Sequence, residues 1–136
     1  MLLLLVAANQ RMARLVDREL SADGVESDSY ASLSLIGVRG SVRLTELADE
    51  LGLPLTTMSD VARRLESRGY VRRRPNPEDG RSFLFELTAR GDREWRRGWG
   101  ALQRIQETMA TGLVDEDRTR AVLTELGAVF ADALNR

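Results

Sequence analysis

The side chains able to do chemistry in this chain are 20 basic and 21 acidic residues, and every basic one is arginine. Histidine, cysteine and lysine are all missing. Their absence excludes Ser-His-Asp and Cys-His nucleophile pairs, the usual zinc ligand sets, Schiff bases and a phosphate-loop lysine. It also excludes disulfides and thiol redox switching. Carboxylate chemistry is left, but Asp49-Glu50 and Asp115-Glu116-Asp117 read more simply as charge near helix N-termini or on a solvated face. No enzyme, metal site or cofactor is expected.

What arginine does best is grip anions through a planar fork. Its distribution is uneven. From Arg63 to Arg104 there are 12 Arg against six acids, while the remaining residues hold eight Arg and 15 acids. A basic block therefore sits inside a chain whose formal net charge is −1. Such a block is the electrostatic footprint of a nucleic-acid contact surface.

The start of the block lies on a stretch with helical spacing. Leu55, Met58, Val61, Ala62 and Leu65 fall on one side of a helix running from Leu55 to Arg68. Thr56, Ser59, Asp60, Arg63 and Ser67 gather opposite, with Thr57 and Arg64 flanking. An apolar back and a front of hydroxyls and arginine suit a helix seated in the major groove of duplex DNA. There hydroxyls reach phosphates or base edges, and arginine reaches guanine O6 and N7. Asp60 is the exception, because it repels phosphates unless it accepts a bond from a cytosine amino group.

The elements that must position this helix follow from punctuation and periodicity. Leu2 to Leu20 has helical spacing without Gly or Pro, and is read as a helix whose apolar start is buried against other helices or another subunit. Asp28 or Ser29 caps a second helix bearing Tyr30, Leu33 and Ile36, which stops at Gly37 or Gly40. Thr45 caps a short helix through Leu51, and Gly52 turns the chain into Leu55 to Arg68. That is the helix-turn-helix pattern. Tyr70 to Arg74 and Phe83 to Leu87 read as strands around a turn-rich segment, Pro75 to Ser82, making a wing. From Thr88 a helix carries Trp95, Trp99, Leu102, Ile105, Met109 and Leu113. The two tryptophans read as core or dimer packing. Asp115-Glu116-Asp117 opens a last helix with Val122, Leu126, Val129, Phe130 and Ala133.

Three stretches carry a resemblance. Leu47-Ala48-Asp49-Glu50-Leu51-Gly52-Leu53 with Thr56-Thr57-Met58-Ser59 is the first. Leu65-Glu66-Ser67-Arg68-Gly69-Tyr70-Val71 is the second, and Arg73-Arg74-Pro75-Asn76-Pro77-Glu78-Asp79-Gly80-Arg81-Ser82, followed by Leu87-Thr88-Ala89-Arg90-Gly91, is the third. Together, over about residues 44–91, they resemble MarR-family transcriptional regulators. The resemblance implies an obligate homodimer with intertwined terminal helices and a winged helix from each subunit on a palindromic operator. It places Thr56, Thr57, Ser59, Arg63 and Arg64 on the recognition helix. It puts Arg81 in the minor groove with Asp79 bracing it, and Arg73 near the DNA backbone. Asp60 departs from the family's basic or neutral residue. The family often answers to small aromatic acids, so a small-molecule effector is part of the expectation.

The expected fold is mainly α with a small β-hairpin wing, in a single domain of residues 1–136. Residues 28–88 form the winged helix-turn-helix DNA-binding region, and residues 1–27 with 89–136 form the helical dimerisation region. The expected function is a dimeric, sequence-specific regulator of transcription, a repressor relieved by a ligand. The alternative is a winged-helix module that binds protein without recognising an operator. The apolar run from Met1 to Ala8 is far short of the ~20 residues a bilayer span requires and lacks a preceding basic segment, so no membrane association and a cytoplasmic location are expected.

Overall fold

The computed structural model describes residues 1–136. Six helices surround a three-stranded antiparallel sheet in the order α1 (Leu2–Ala22), α2 (Tyr30–Arg39), β1 (Ser41–Arg43), α3 (Leu44–Leu51), α4 (Leu55–Ser67), β2 (Val71–Asn76), β3 (Asp79–Leu87), α5 (Ala89–Gly112) and α6 (Glu116–Leu134). The strands lie in the order β1-β3-β2. Val42 pairs with Phe85 in one ladder, and Arg73 pairs with Phe85 in the other. No helix is long and apolar enough to cross a membrane.

The core forms where the apolar stripes of α2, α3 and α4 meet the inner face of the sheet. Leu33, Ile36, Leu47, Met58, Leu65 and Val42 are fully buried there, and Leu20 from the end of α1 joins them. Burial of this kind stabilises by about 1.5–3 kcal/mol for each large side chain. It fixes the turn between α3 and α4, and hence the direction in which the outer face of α4 points.

The apolar ends behave differently. The start of α1 is not covered by other helices of the same chain: Leu2, Leu3 and Leu4 are 70–82% exposed. In α6 no residue is buried at all. Leu123, Val129 and Phe130 stand in solvent.

Local details also differ from the sequence reading. The short strand β1 was not expected; with three residues it has too little alternation to register as a period. Its last residue, Arg43, occupies the N-cap of α3 in place of Thr45, and the Arg43 backbone N–H donates to Glu46 at 2.8 Å. Ser29 precedes α2 but its hydroxyl makes no capping bond. That helix ends at Gly40. Gly37 lies inside it, where a Cβ would collide with the Trp95 ring. The wing strands are longer than expected, with Asn76 paired to Asp79 across the two-residue tip Pro77-Glu78.

The wing unit joins α5 through one tight junction. Thr88 caps α5 by accepting from the Gly91 N–H at 3.0 Å, and its own N–H donates to the Tyr70 carbonyl at 3.0 Å. Gly91 passes so close to Tyr70 that a Cβ would strike that carbonyl oxygen. Gly91→Ala is therefore expected to cost about 1–3 kcal/mol, the usual penalty of overpacking. The readout is the urea midpoint at fixed protein concentration; an unchanged midpoint would mean that α5 can step away from Tyr70 freely.

Candidate nucleic-acid interface

The helical face anticipated from spacing is present on α4. Met58, Val61, Ala62 and Leu65 are buried, and Thr56, Thr57, Asp60, Arg63 and Arg64 are exposed. Leu55 is half exposed, since it lies in the first turn beyond the edge of the core. Thr56, Ser59 or Asp60, and Arg63 follow one another at helical spacing along the outward stripe.

Ser59, Arg73 and Asp79 converge on a cleft of about 360 Å³ between α4 and the wing, together with Arg43, Thr45 and Phe83. Arg43 was not anticipated, because the strand that carries it was not. Arg73 spans the cleft wall. Its Nε and Nη2 donate to Glu66 at 2.8 and 2.7 Å, and its guanidinium lies 5.6 Å from the centre of the Phe83 ring. The Arg73 fork holds the Glu66 carboxyl below the ordinary carboxylate range. Arg73 thus braces α4 against β2, leaving only its remaining N–H groups for any other partner.

At the tip of the wing the backbone is pinned by its own side chains. The buried Asn76 accepts from the Glu78 N–H at 3.1 Å and donates to Ser82 Oγ at 3.1 Å. Asp79 accepts from the Arg81 N–H at 3.1 Å. These bonds fix the root of Arg81, while its guanidinium is exposed and has no acidic partner.

That freedom is unusual within the basic block. Of its 12 arginines, nine have an acid within ion-pair distance, and only Arg81, Arg90 and Arg93 do not. Arg90 lies 5.4 Å from the centre of the Tyr70 ring. Arg68 bonds Glu26 at 2.8 Å and Asp28 at 3.2 Å, and Arg104 bonds Glu19 at 2.8 Å and Asp23 at 3.0 Å. Arg64 leans the same way, 4.0 Å from Asp28. Part of the charge excess in the block therefore ties α4 and α5 to the α1–α2 connection. Sequence counting could not separate those arginines from the free ones, because their acidic partners lie 36 to 85 positions away.

Arg63 has a partner on its own helix. Its Nη1 donates to Asp60 Oδ1 at 2.9 Å, three residues earlier. Trp95 and Trp99 sit away from this face. Their rings meet edge to face at 5.7 Å, with Trp95 packed on α2 and Trp99 nearly half exposed.

A helix-turn-helix followed by a β-hairpin, with a short third strand completing the sheet, defines a winged-helix protein. Residues 26–83, which hold most of the winged unit, match the sequence model of the MarR family. The multiple antibiotic resistance protein MarR of Salmonella typhimurium is 31% identical over 88 residues, covering 65% of this chain and 61% of that protein. The match thus spans about three-fifths of that relative's length. A mutant MarR from Escherichia coli, solved in complex with operator DNA, superposes with a TM-score of 0.75 at 25% identity, covering 93% of this chain and 90% of that one. The PcaV transcriptional regulator of Streptomyces coelicolor, solved with its natural ligand, gives 0.69 at 27% identity over 96% and 91% of the two chains.

Proposed function

We propose that this chain is a dimeric, sequence-specific DNA-binding regulator of transcription, acting as a repressor that a small ligand releases. The observation that carries the DNA reading is Arg81: an exposed, unpaired guanidinium on a wing tip whose backbone is locked by Asp79 and Asn76. A flexible arginine would lose side-chain and loop entropy on binding, whereas this one has its root already placed. Thr56, Thr57, Ser59 and Arg63 on α4 would face the major groove. Arg64 and Arg73, both engaged with acids, would contribute phosphate contacts through their free N–H groups.

Residues 1–27 and 89–136 form the dimerisation region in this proposal. The exposed leucines of α1 and the wholly unburied α6 support it, since an obligate interface is where such apolar surface is normally covered. A ligand between these helices and the winged unit would act by favouring one spacing of the two recognition helices over another. The solved ligand complex of PcaV supports a ligand-responsive reading. Such a regulator works where the genome is, so the cytoplasm is its proposed location.

The alternative, a winged module that binds protein, is separated by salt. Binding of a fluorescent random-sequence duplex, followed by anisotropy between about 50 and 200 mM salt, should weaken steeply as phosphate-bound counterions are released. Absence of binding even at the lowest salt would favour the protein-binding module.

A further inference from the structure

We propose that Asp60 and Arg63 work as one recognition unit that selects a C·G base pair in each operator half-site. The inference rests on the DNA-binding reading above and assigns the residue that reading leaves unexplained. Both side chains are on the outward stripe of α4, 62% and 71% exposed, and they are held together by the Arg63 Nη1 to Asp60 Oδ1 bond at 2.9 Å. An exposed pair of this kind adds little to stability, so its presence on the stripe is not explained by the fold.

The bond leaves a defined pattern of open groups. Asp60 Oδ2 is a free acceptor, and Arg63 Nε and Nη2 are free donors. Three residues of helix separate the two Cα atoms by about 4.5 Å along the axis, which is close to the width of one base-pair edge. The couple therefore offers an acceptor beside a two-donor fork.

Of the base-pair edges in the major groove, only C·G complements that order. Cytosine N4 donates, and guanine O6 and N7 accept next to it. An A·T edge offers adenine N6 as a donor with only one acceptor on either side of it, so the carboxylate is satisfied there but half of the two-donor fork is not. A carboxylate facing DNA without a donor would weaken every complex, whereas this arrangement turns that repulsion into discrimination. Asp60 also fixes the guanidinium of Arg63, which reduces the rotamer freedom lost on binding.

The test is selection of random duplexes on the wild-type protein, on Asp60→Ala and on Arg63→Ala, followed by affinities for single-position operator variants. The wild type should prefer C·G at one position of each half-site by roughly 5- to 150-fold over T·A. In both variants that preference should fall below about twofold at that same position, with the rest of the palindrome kept. Asp60→Ala tightening all duplexes alike, or the two variants altering different positions, would overturn the assignment while leaving the DNA reading intact. If the folded wild type enriches no sequence, the DNA reading itself fails, and this assignment with it.

Discussion

Arg81→Ala should weaken binding to an operator duplex by at least about tenfold while leaving the dimer and its unfolding midpoint unchanged. Hydrogen bonds to a charged group contribute about 1.5–3 kcal/mol each, and a dimer carries two wings. Nothing in the protein competes for this guanidinium, so its loss removes no intramolecular contact. The bonds that shape the tip run through the Asp79 carboxylate and the Arg81 backbone, which alanine keeps. Arg81→Lys should recover only part of the affinity, because an ammonium has the charge but not the planar fork. Equal affinity of Arg81→Ala and wild type would show that the wing does not touch DNA.

Phe130→Glu should abolish the dimer at micromolar concentration. In a lone chain Phe130 is nearly half exposed and α6 buries nothing, so a glutamate there would be harmless. Across a dimer interface the same change removes an aromatic anchor and buries an unpaired carboxylate. Either loss alone is on the scale of 2–5 kcal/mol, so dissociation should tighten the fit to a monomer by sedimentation. The expected species is a chain of 15.2 kDa where the wild type gives twice that mass. Operator binding should fall with it, since a single half-site contact remains. A dimeric Phe130→Glu protein would place the interface elsewhere.

How far the sequence disclosed this molecule depended on the range of the interaction involved. The outward and inward faces of α4 were legible because a 3.6-residue period is a local property, and Met58, Val61, Ala62 and Leu65 are buried as their spacing implied. The acidic first turn of α6 was legible for the same local reason, whereas the cap of α3 was not, since Arg43 takes the position expected of Thr45. Strand β1 was not legible: it exists because Val42 finds Phe85 across the sheet, more than 40 residues on. The Arg-rich block shows the limit most clearly. Arg68 and Arg81 look alike in sequence, yet one is held by Glu26 and Asp28 and the other stands free. Arg73 is similar, for its engagement with Glu66 depends on α4 and β2 lying side by side. For the apolar start of α1 the sequence left two destinations open, other helices or another subunit, because a local pattern does not name its partner; within the chain Leu2 to Leu4 stand exposed.

Two copies of this chain are expected to place two winged helices on one symmetric DNA site. Selection of random duplexes on the purified protein at near-physiological salt tests it most directly. The expected result is an enriched palindrome whose half-sites lie about one helical turn apart, ~34 Å, bound by two chains per duplex. A folded, dimeric protein that enriches no sequence would contradict it.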